Sequence, residues 1–107
     1  MKVTKVNDVY KASRITGPKH NYLGLMMSVT PPRHTVVAQR KPDDKPGVVD
    51  EKRLVAAVIA GIDEANRSRA IALFAHSIEY VPSDTPDYDA HSLLARTITD
   101  AASVDFA

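Results

Sequence analysis

The chain has 107 residues, 44% of them apolar and 25% charged, which suits one soluble domain over residues 1–107 and argues against disorder. It contains no cysteine, which excludes disulfide bonds, thiolate metal sites and cysteine nucleophiles and favours a cytoplasmic protein over a secreted one. The net charge of +1 is unevenly divided along the chain. Residues 1–41 hold eight Lys or Arg and one acidic residue, whereas residues 42–107 hold six Lys or Arg and twelve acidic residues.

Three strands are predicted in the first half of the chain. Residues 9–16 form the first, with residues 3–8 either leading into it or fraying. Residues 16–19, Thr-Gly-Pro-Lys, are a strong turn signal, because glycine permits a positive φ and proline fixes φ. Residues 20–29 form the clearest strand, and two consecutive prolines separate it from a third strand over residues 34–40. The short connections predict an antiparallel meander.

A helix is predicted after a long polar loop, residues 41–47, that contains two prolines. Asp50 is a typical N-cap residue, and apolar residues recur at helical spacing over residues 54–62. Gly61 weakens this helix by about 1 kcal/mol relative to alanine, so we expect close packing to require a glycine there. The predicted helix ends at residues 67–69.

The last third of the sequence predicts one more strand and a second helix. Residues 70–81 are almost continuously apolar, as expected of a strand that is buried on both faces. Thr85 and Pro86 suit the N-cap and the first position of a helix. The buried side of that helix is expected at Leu94, Ile98 and Ala101, with Leu93 and Ala102 at its margins.

Together these elements predict an α+β fold in the order β-β-β-α-β-α, with a mixed four-stranded sheet and both helices on one face. Leu25 and Leu73 lie in the strongest apolar patterns of the chain and are predicted core residues. The second face of the sheet, which the helices do not cover, is expected to hold the side chains of Tyr22, Met26 and one side of the fourth strand. Because an apolar sheet face is usually covered, they indicate contact with another protein or a second copy of the chain.

Residues 14–21 are the most site-like segment, since they bring two cations, an imidazole and an amide into one hairpin turn. Backbone donors of the turn would add to an anion site there. The alternative is a solvated hairpin tip that serves solubility. With the two residues of the second sheet face included, the candidate binding residues are Arg14, Lys19, His20, Asn21, Tyr22 and Met26.

The four histidines lack the spacing of a metal site, so neither a metal nor another cofactor is predicted. His34 and His76 are each followed directly by a hydroxyl residue in a predicted strand. Phosphoesterases with twin histidine motifs instead place the hydroxyl two positions later, on the same face of the strand. The sequence also lacks the motifs of serine hydrolases and phosphate-binding loops, and no catalytic residue is predicted.

The favoured functional hypothesis is a non-enzymatic protein-interaction domain, either homodimeric or a small inhibitory or regulatory partner of another protein. The second is a nucleic-acid or anion-binding domain that uses the basic residues 1–41, with Tyr10 and Tyr22 as stacking surfaces, and the third is a histidine-dependent hydrolase. Because the net charge is near zero, we expect the basic residues to pair with acidic ones within the fold or across a dimer. The longest apolar run, residues 54–62, is too short for a membrane span.

Overall fold

The structure, a computed structural model, describes residues 1–106 and confirms the predicted α+β class. The strands are β1 (Thr4–Val6), β2 (Val9–Thr16), β3 (Lys19–Ser28), β4 (Val36–Gln39) and β5 (Phe74–Tyr80). The helices are α1 (Glu51–Asn66) and α2 (Tyr88–Ala102), followed by a 3-10 helix, Ser103–Phe106. Neither α-helix in this part of the chain has the length and apolar character that a membrane span requires.

The sheet has five strands, so the prediction of four is wrong. The additional strand, β1, pairs with β2 in an antiparallel hairpin whose last register pair is Val6 and Val9. Asn7 and Asp8 form its turn, with φ values of 50° and 66°. Two adjacent positive φ values are typical of the turn that matches the twist of paired strands, and Asn and Asp tolerate that region better than most residues. Residues 3–8, predicted either to lead into the first strand or to fray, therefore contain a separate edge strand and its turn.

The strand order is β1-β2-β3-β5-β4, which changes the predicted meander. β5 lies between β3 and β4, antiparallel to β3 and parallel to β4. The predicted pairing of residues 20–29 with residues 34–40 is therefore wrong, whereas the predicted mixed sheet is confirmed, because β4 and β5 are parallel and the other pairs are antiparallel. The longer and more buried β5 occupies an inner position, and the short β4 forms an edge, where a strand of only four residues limits aggregation.

The start of β5 and the burial of its two faces also differ from the prediction. β5 begins at Phe74 rather than at residue 70, because the Asn66 side chain binds both backbone groups of Leu73, donating to its carbonyl at 2.9 Å and accepting from its amide at 3.1 Å. The predicted burial of this strand on both faces is wrong. Ser77 and Glu79 remain partly exposed, because the sheet has helices on one face only.

The second helix begins later than predicted. Asp87, not Thr85, is its N-cap and accepts a hydrogen bond from the Ala90 amide at 3.2 Å. Thr85 binds β3 instead, accepting from the amide of His20 through its hydroxyl and from the side chain of Asn21 through its carbonyl. At the other end of α2, Leu94, Ile98 and Ala102 are fully buried and Ala101 is exposed, so the predicted stripe was wrong at Ala101.

One hydrophobic core joins both helices to the same face of the sheet. Its largest side chains are fully buried, and they are Leu23, Leu25, Leu54, Leu73, Ile78, Leu94 and Ile98. Leu25 and Leu73, predicted from the sequence, are thus confirmed as core residues at 0% and 1% exposure. Gly61 lies where α1 meets α2, and a Cβ built on it would be 2.2 Å from the Ser92 carbonyl oxygen. The close packing predicted to require this glycine is therefore present.

Ion pairs connect the basic first part of the chain to later acidic residues. Lys19 Nζ lies 3.5 Å from Asp87 Oδ2, and Lys5 Nζ lies 3.8 Å from Asp105 Oδ2. A third pair, between Arg40 Nη2 and Asp44 Oδ1 at 3.1 Å, closes the loop after β4. These contacts neutralise part of the charge asymmetry within the fold, although exposed pairs of this kind add little stability.

His91 is a buried histidine in the first turn of α2, on the side of the helix that faces the core. Its side chain is fully buried, and neither ring nitrogen has a hydrogen-bond partner among residues 1–106. Burial lowers the pKa of His91, because the charged imidazolium would lose its hydration, while the nearby Asp87 and Asp84 only partly offset this effect.

We expect the protein to lose stability as the pH falls below about 6.5, where an unfolded histidine becomes protonated. Folded His91 stays neutral there, so the unfolded state binds the additional proton and the free energy of unfolding decreases, by at most about 1.4 kcal/mol per pH unit, until the folded pKa is reached. Urea unfolding at several pH values between about 7.5 and 5.5 measures how the free energy of unfolding changes with pH. His91→Leu should reduce this pH dependence, whereas the control His34→Leu, at an exposed histidine, should leave it unchanged. An equal pH dependence in the wild type and His91→Leu would contradict the assignment of this effect to His91.

Candidate functional site

The face of the sheet opposite the two helices is the main candidate site, and we call it the open face. Strand alternation and register place residues of all five strands on it. They include Thr4, Val6, Val9, Lys11, Ser13, Ile15, His20, Tyr22, Gly24, Met26, Val36, Ala38, Ser77 and Glu79. Tyr22 and Met26 were predicted to lie on this face, and the register places both there.

An apolar row crosses the open face from one edge strand to the other. Val6 is opposite Val9, Met26 is opposite Ser77, and Ser77 is opposite Val36. When the β2–β3 register is continued by one residue from Tyr10 and Leu25, Val9 lies opposite Met26. Val6, Met26 and Val36 are exposed by 49%, 36% and 62%, respectively. The row therefore presents apolar surface to solvent at both edges and at the centre of the sheet.

A charged row runs parallel to the apolar row. Lys11 on β2 and Glu79 on β5 flank Gly24 on the central strand, since each is the register partner of that glycine. Both side chains are partly exposed. Neither Lys11 nor Glu79 takes part in any ion pair within residues 1–106. Two opposite charges therefore lie unpaired on either side of β3.

Tyr22 covers the centre of the open face by lying flat over the sheet. Its hydroxyl donates to Glu79 Oε1 at 3.0 Å, and the Arg40 guanidinium carbon lies 5.4 Å from its ring centroid. A Cβ on Gly24 would be only 2.8 Å from the Tyr22 hydroxyl, so glycine makes room for the ring. The phenol is only 6% exposed, and burial followed by the Glu79 contact raises the pKa of Tyr22, which keeps it protonated as a donor.

Three cations border a shallow depression of about 450 Å³ at one end of the open face. Lys2, Lys11 and Arg40 line it together with the hydroxyl side chains of Thr4, Ser13 and Tyr22. Arg40 is already paired with Asp44, so Lys2 and Lys11 are the charges of the depression that remain available to a ligand. The depression can attract an anion, but only part of the predicted basic surface contributes to it.

The candidate residues of the hairpin do not form one site, because successive residues point to opposite faces of the sheet. Arg14, Lys19 and Asn21 lie on the helix side and line a small pocket of about 70 Å³ with Asp87. The carboxylate of Asp87 caps α2 there and pairs with Lys19, so the position where an external anion would bind is already occupied. These contacts with the α2 amide and with Lys19 hold the pKa of Asp87 below its usual value.

His20, the remaining hairpin candidate, contacts a buried carboxylate that sequence reasoning missed. Asp84 is 5% exposed, and its two carboxylate oxygens bind the Tyr22 amide at 2.7 Å and His20 Nδ1 at 3.1 Å. This arrangement fastens the loop before α2 to the start of β3. The Ser-Asp-Thr-Pro sequence signals a turn, but nothing local reveals that the aspartate becomes buried.

His34 and His76, the two histidines of the hydrolase hypothesis, lie near the start of β4 and in β5. His34 is exposed in the loop before β4, and His76 Nε2 lies 2.7 Å from the Thr30 carbonyl oxygen. Within residues 1–106, no three His, Cys, Asp or Glu side chains are close enough to bind a metal ion together. No protein-family model matches the chain, and a comparison with curated proteins finds no match either.

Proposed function

We propose that the chain is a protein-interaction domain that acts through the open face and associates with a second copy of itself. The observation that supports this proposal is the apolar row, because Val6, Met26 and Val36 are substantially exposed on the sheet face that has no helices. Apolar residues aligned across a sheet lose contact with water when a second sheet packs against them about 10 Å away. The short edge strands restrict pairing at the sides of the sheet, which leaves the face as the broader surface.

The nucleic-acid alternative receives less support from the arrangement of the basic residues. Of the eight cations in residues 1–41, Lys2, Lys11 and Arg40 line the depression on the open face, whereas Lys5 and Lys19 are paired with acids elsewhere. The proposed stacking residues are also shielded. Tyr10 is 5% exposed on the helix side of the sheet, and Tyr22 is 6% exposed beneath Arg40. Base stacking needs an accessible ring.

We expect the wild-type protein to be dimeric at micromolar concentration, and Met26→Lys to shift it to monomer. A lysine at the centre of the apolar row would bring a charge into the buried interface, which is strongly unfavourable without a partner. Sedimentation velocity over a concentration series measures the change. Leu93→Lys is a matched control, because Leu93 on α2 is 37% exposed and Met26 is 36% exposed, but Leu93 lies on the helix side.

The two outcomes that oppose the proposal are readily distinguished. A wild-type protein that remains monomeric over the whole series would contradict self-association. A dimer that is disrupted by Leu93→Lys and unaffected by Met26→Lys would place the interface on the helix side instead. Circular dichroism of each variant verifies that it is folded before the association is compared.

A further inference from the structure

We infer that the second copy packs face to face, about a two-fold axis running along β3, so that Lys11 of each copy pairs with Glu79 of the other. This inference rests on the proposed function and adds the arrangement of the two copies. It follows from the positions of Lys11 and Glu79, one strand to either side of Gly24. Neighbouring strands are about 4.8 Å apart, so the two residues are nearly equidistant from the centre of β3.

A two-fold axis along β3 exchanges the two sides of the open face. It places β2 of one copy over β5 of the other and leaves each register row over the same row of its partner. Lys11 then faces Glu79 twice, once on each side of the axis. Glu79 Oε1 accepts the Tyr22 hydroxyl, and a carboxylate has further acceptor positions for a lysine from the second copy.

The same rotation also matches the apolar residues. Met26 lies on the central strand, so it meets Met26 of the other copy, while the two edge residues Val6 and Val36 are brought over one another. Packed sheets are commonly rotated by about 30° because each sheet is twisted. The match is therefore closest near the axis, at Met26, Lys11 and Glu79, and looser at the edges.

Charge opposes a second symmetric arrangement. A two-fold axis running across the strands, along the charged row, would place each strand over its own copy. Lys11 would then face Lys11, and Glu79 would face Glu79. Like charges brought together in an interface are repulsive, whereas the axis along β3 gives each charge an opposite partner. The charges that are unpaired within residues 1–106 thus select one orientation of the dimer.

Charge reversal tests this arrangement directly. Lys11→Glu and Glu79→Lys should each weaken self-association by at least about tenfold, because each dimer then contains two like-charge contacts. An equimolar mixture of the two variants should form heterodimers almost exclusively, since both contacts regain opposite charges. Without charge selection, only about half of the dimers would be mixed. The double variant, Lys11→Glu with Glu79→Lys, should dimerise with itself as the wild type does.

Native mass spectrometry of a mixture with one isotopically labelled variant measures the heterodimer fraction. Recovery of dimer on mixing also shows that both variants are folded, which matters because Glu79→Lys removes the Tyr22 hydrogen bond. Single variants that dimerise like wild type, or a mixture with the statistical heterodimer fraction, would overturn the Lys11–Glu79 pairing. If Met26→Lys still abolished the dimer, the open face would remain the interface; a monomeric wild type would end both proposals.

Discussion

Leu25→Ala should lower the free energy of unfolding by roughly 2–5 kcal/mol, the range found for buried leucines. Leu25 is 0% exposed and lies in the centre of β3, with Tyr10 and Ile78 as its register partners. Truncation removes buried methyl groups and leaves a cavity in the layer where the sheet meets both helices. Little relaxation is expected there, because the residue is held between strands on both sides.

Urea unfolding at one fixed protein concentration measures this loss, since dimerisation would otherwise make the stability depend on concentration. Leu73→Ala, at a residue 1% exposed where the chain enters β5, should fall in the same range. Val29→Ala is the control, because Val29 is 45% exposed just after β3 and should lose less than about 1 kcal/mol. Losses below about 1 kcal/mol at both leucines would contradict the assigned core.

The parts of the fold that follow from local chemistry could be predicted from the sequence. Alternation located β2 and β3, and Asp50 caps α1 as its position before the apolar stripe suggested, accepting from the Arg53 amide. Thr85 and Asp87 are both acceptable N-caps, and the choice depended on contacts of Thr85 with β3. Local propensity does not contain that distant contact, so it could not decide between them.

Strand order depended on interactions between distant segments and was predicted incorrectly. The two prolines before β4 indicated a break, but not that the chain would leave room for β5 beside β3. Consequently Tyr22 and Met26 could be assigned to the second face from their own strand, whereas Glu79 could not be placed near Lys11. The charged row appears only when β5 lies next to β3.

Gly61→Ala should lower the free energy of unfolding by roughly 1–3 kcal/mol, the usual cost of overpacking, although alanine is the better helix former. The new methyl group would lie 2.2 Å from the Ser92 carbonyl oxygen, 3.0 Å from Ala95 Cβ and 3.1 Å from the Arg96 amide nitrogen. The nearest obstacle is the backbone of α2, which cannot move aside as a flexible side chain can. The two helices would have to separate, disturbing the core between them.

The neighbouring residue provides the control for Gly61→Ala. Ala60 lies on the same helix and is exposed, so Ala60→Gly reports helix propensity without a packing change and should cost about 1 kcal/mol. Helix propensity alone predicts that Gly61→Ala raises the free energy of unfolding and that Ala60→Gly lowers it. Close packing of the two helices predicts instead that both substitutions lower it. Urea unfolding of the two variants and the wild type, at one concentration, separates these cases. An increase in stability for Gly61→Ala would show that α1 and α2 are not in backbone contact at this position.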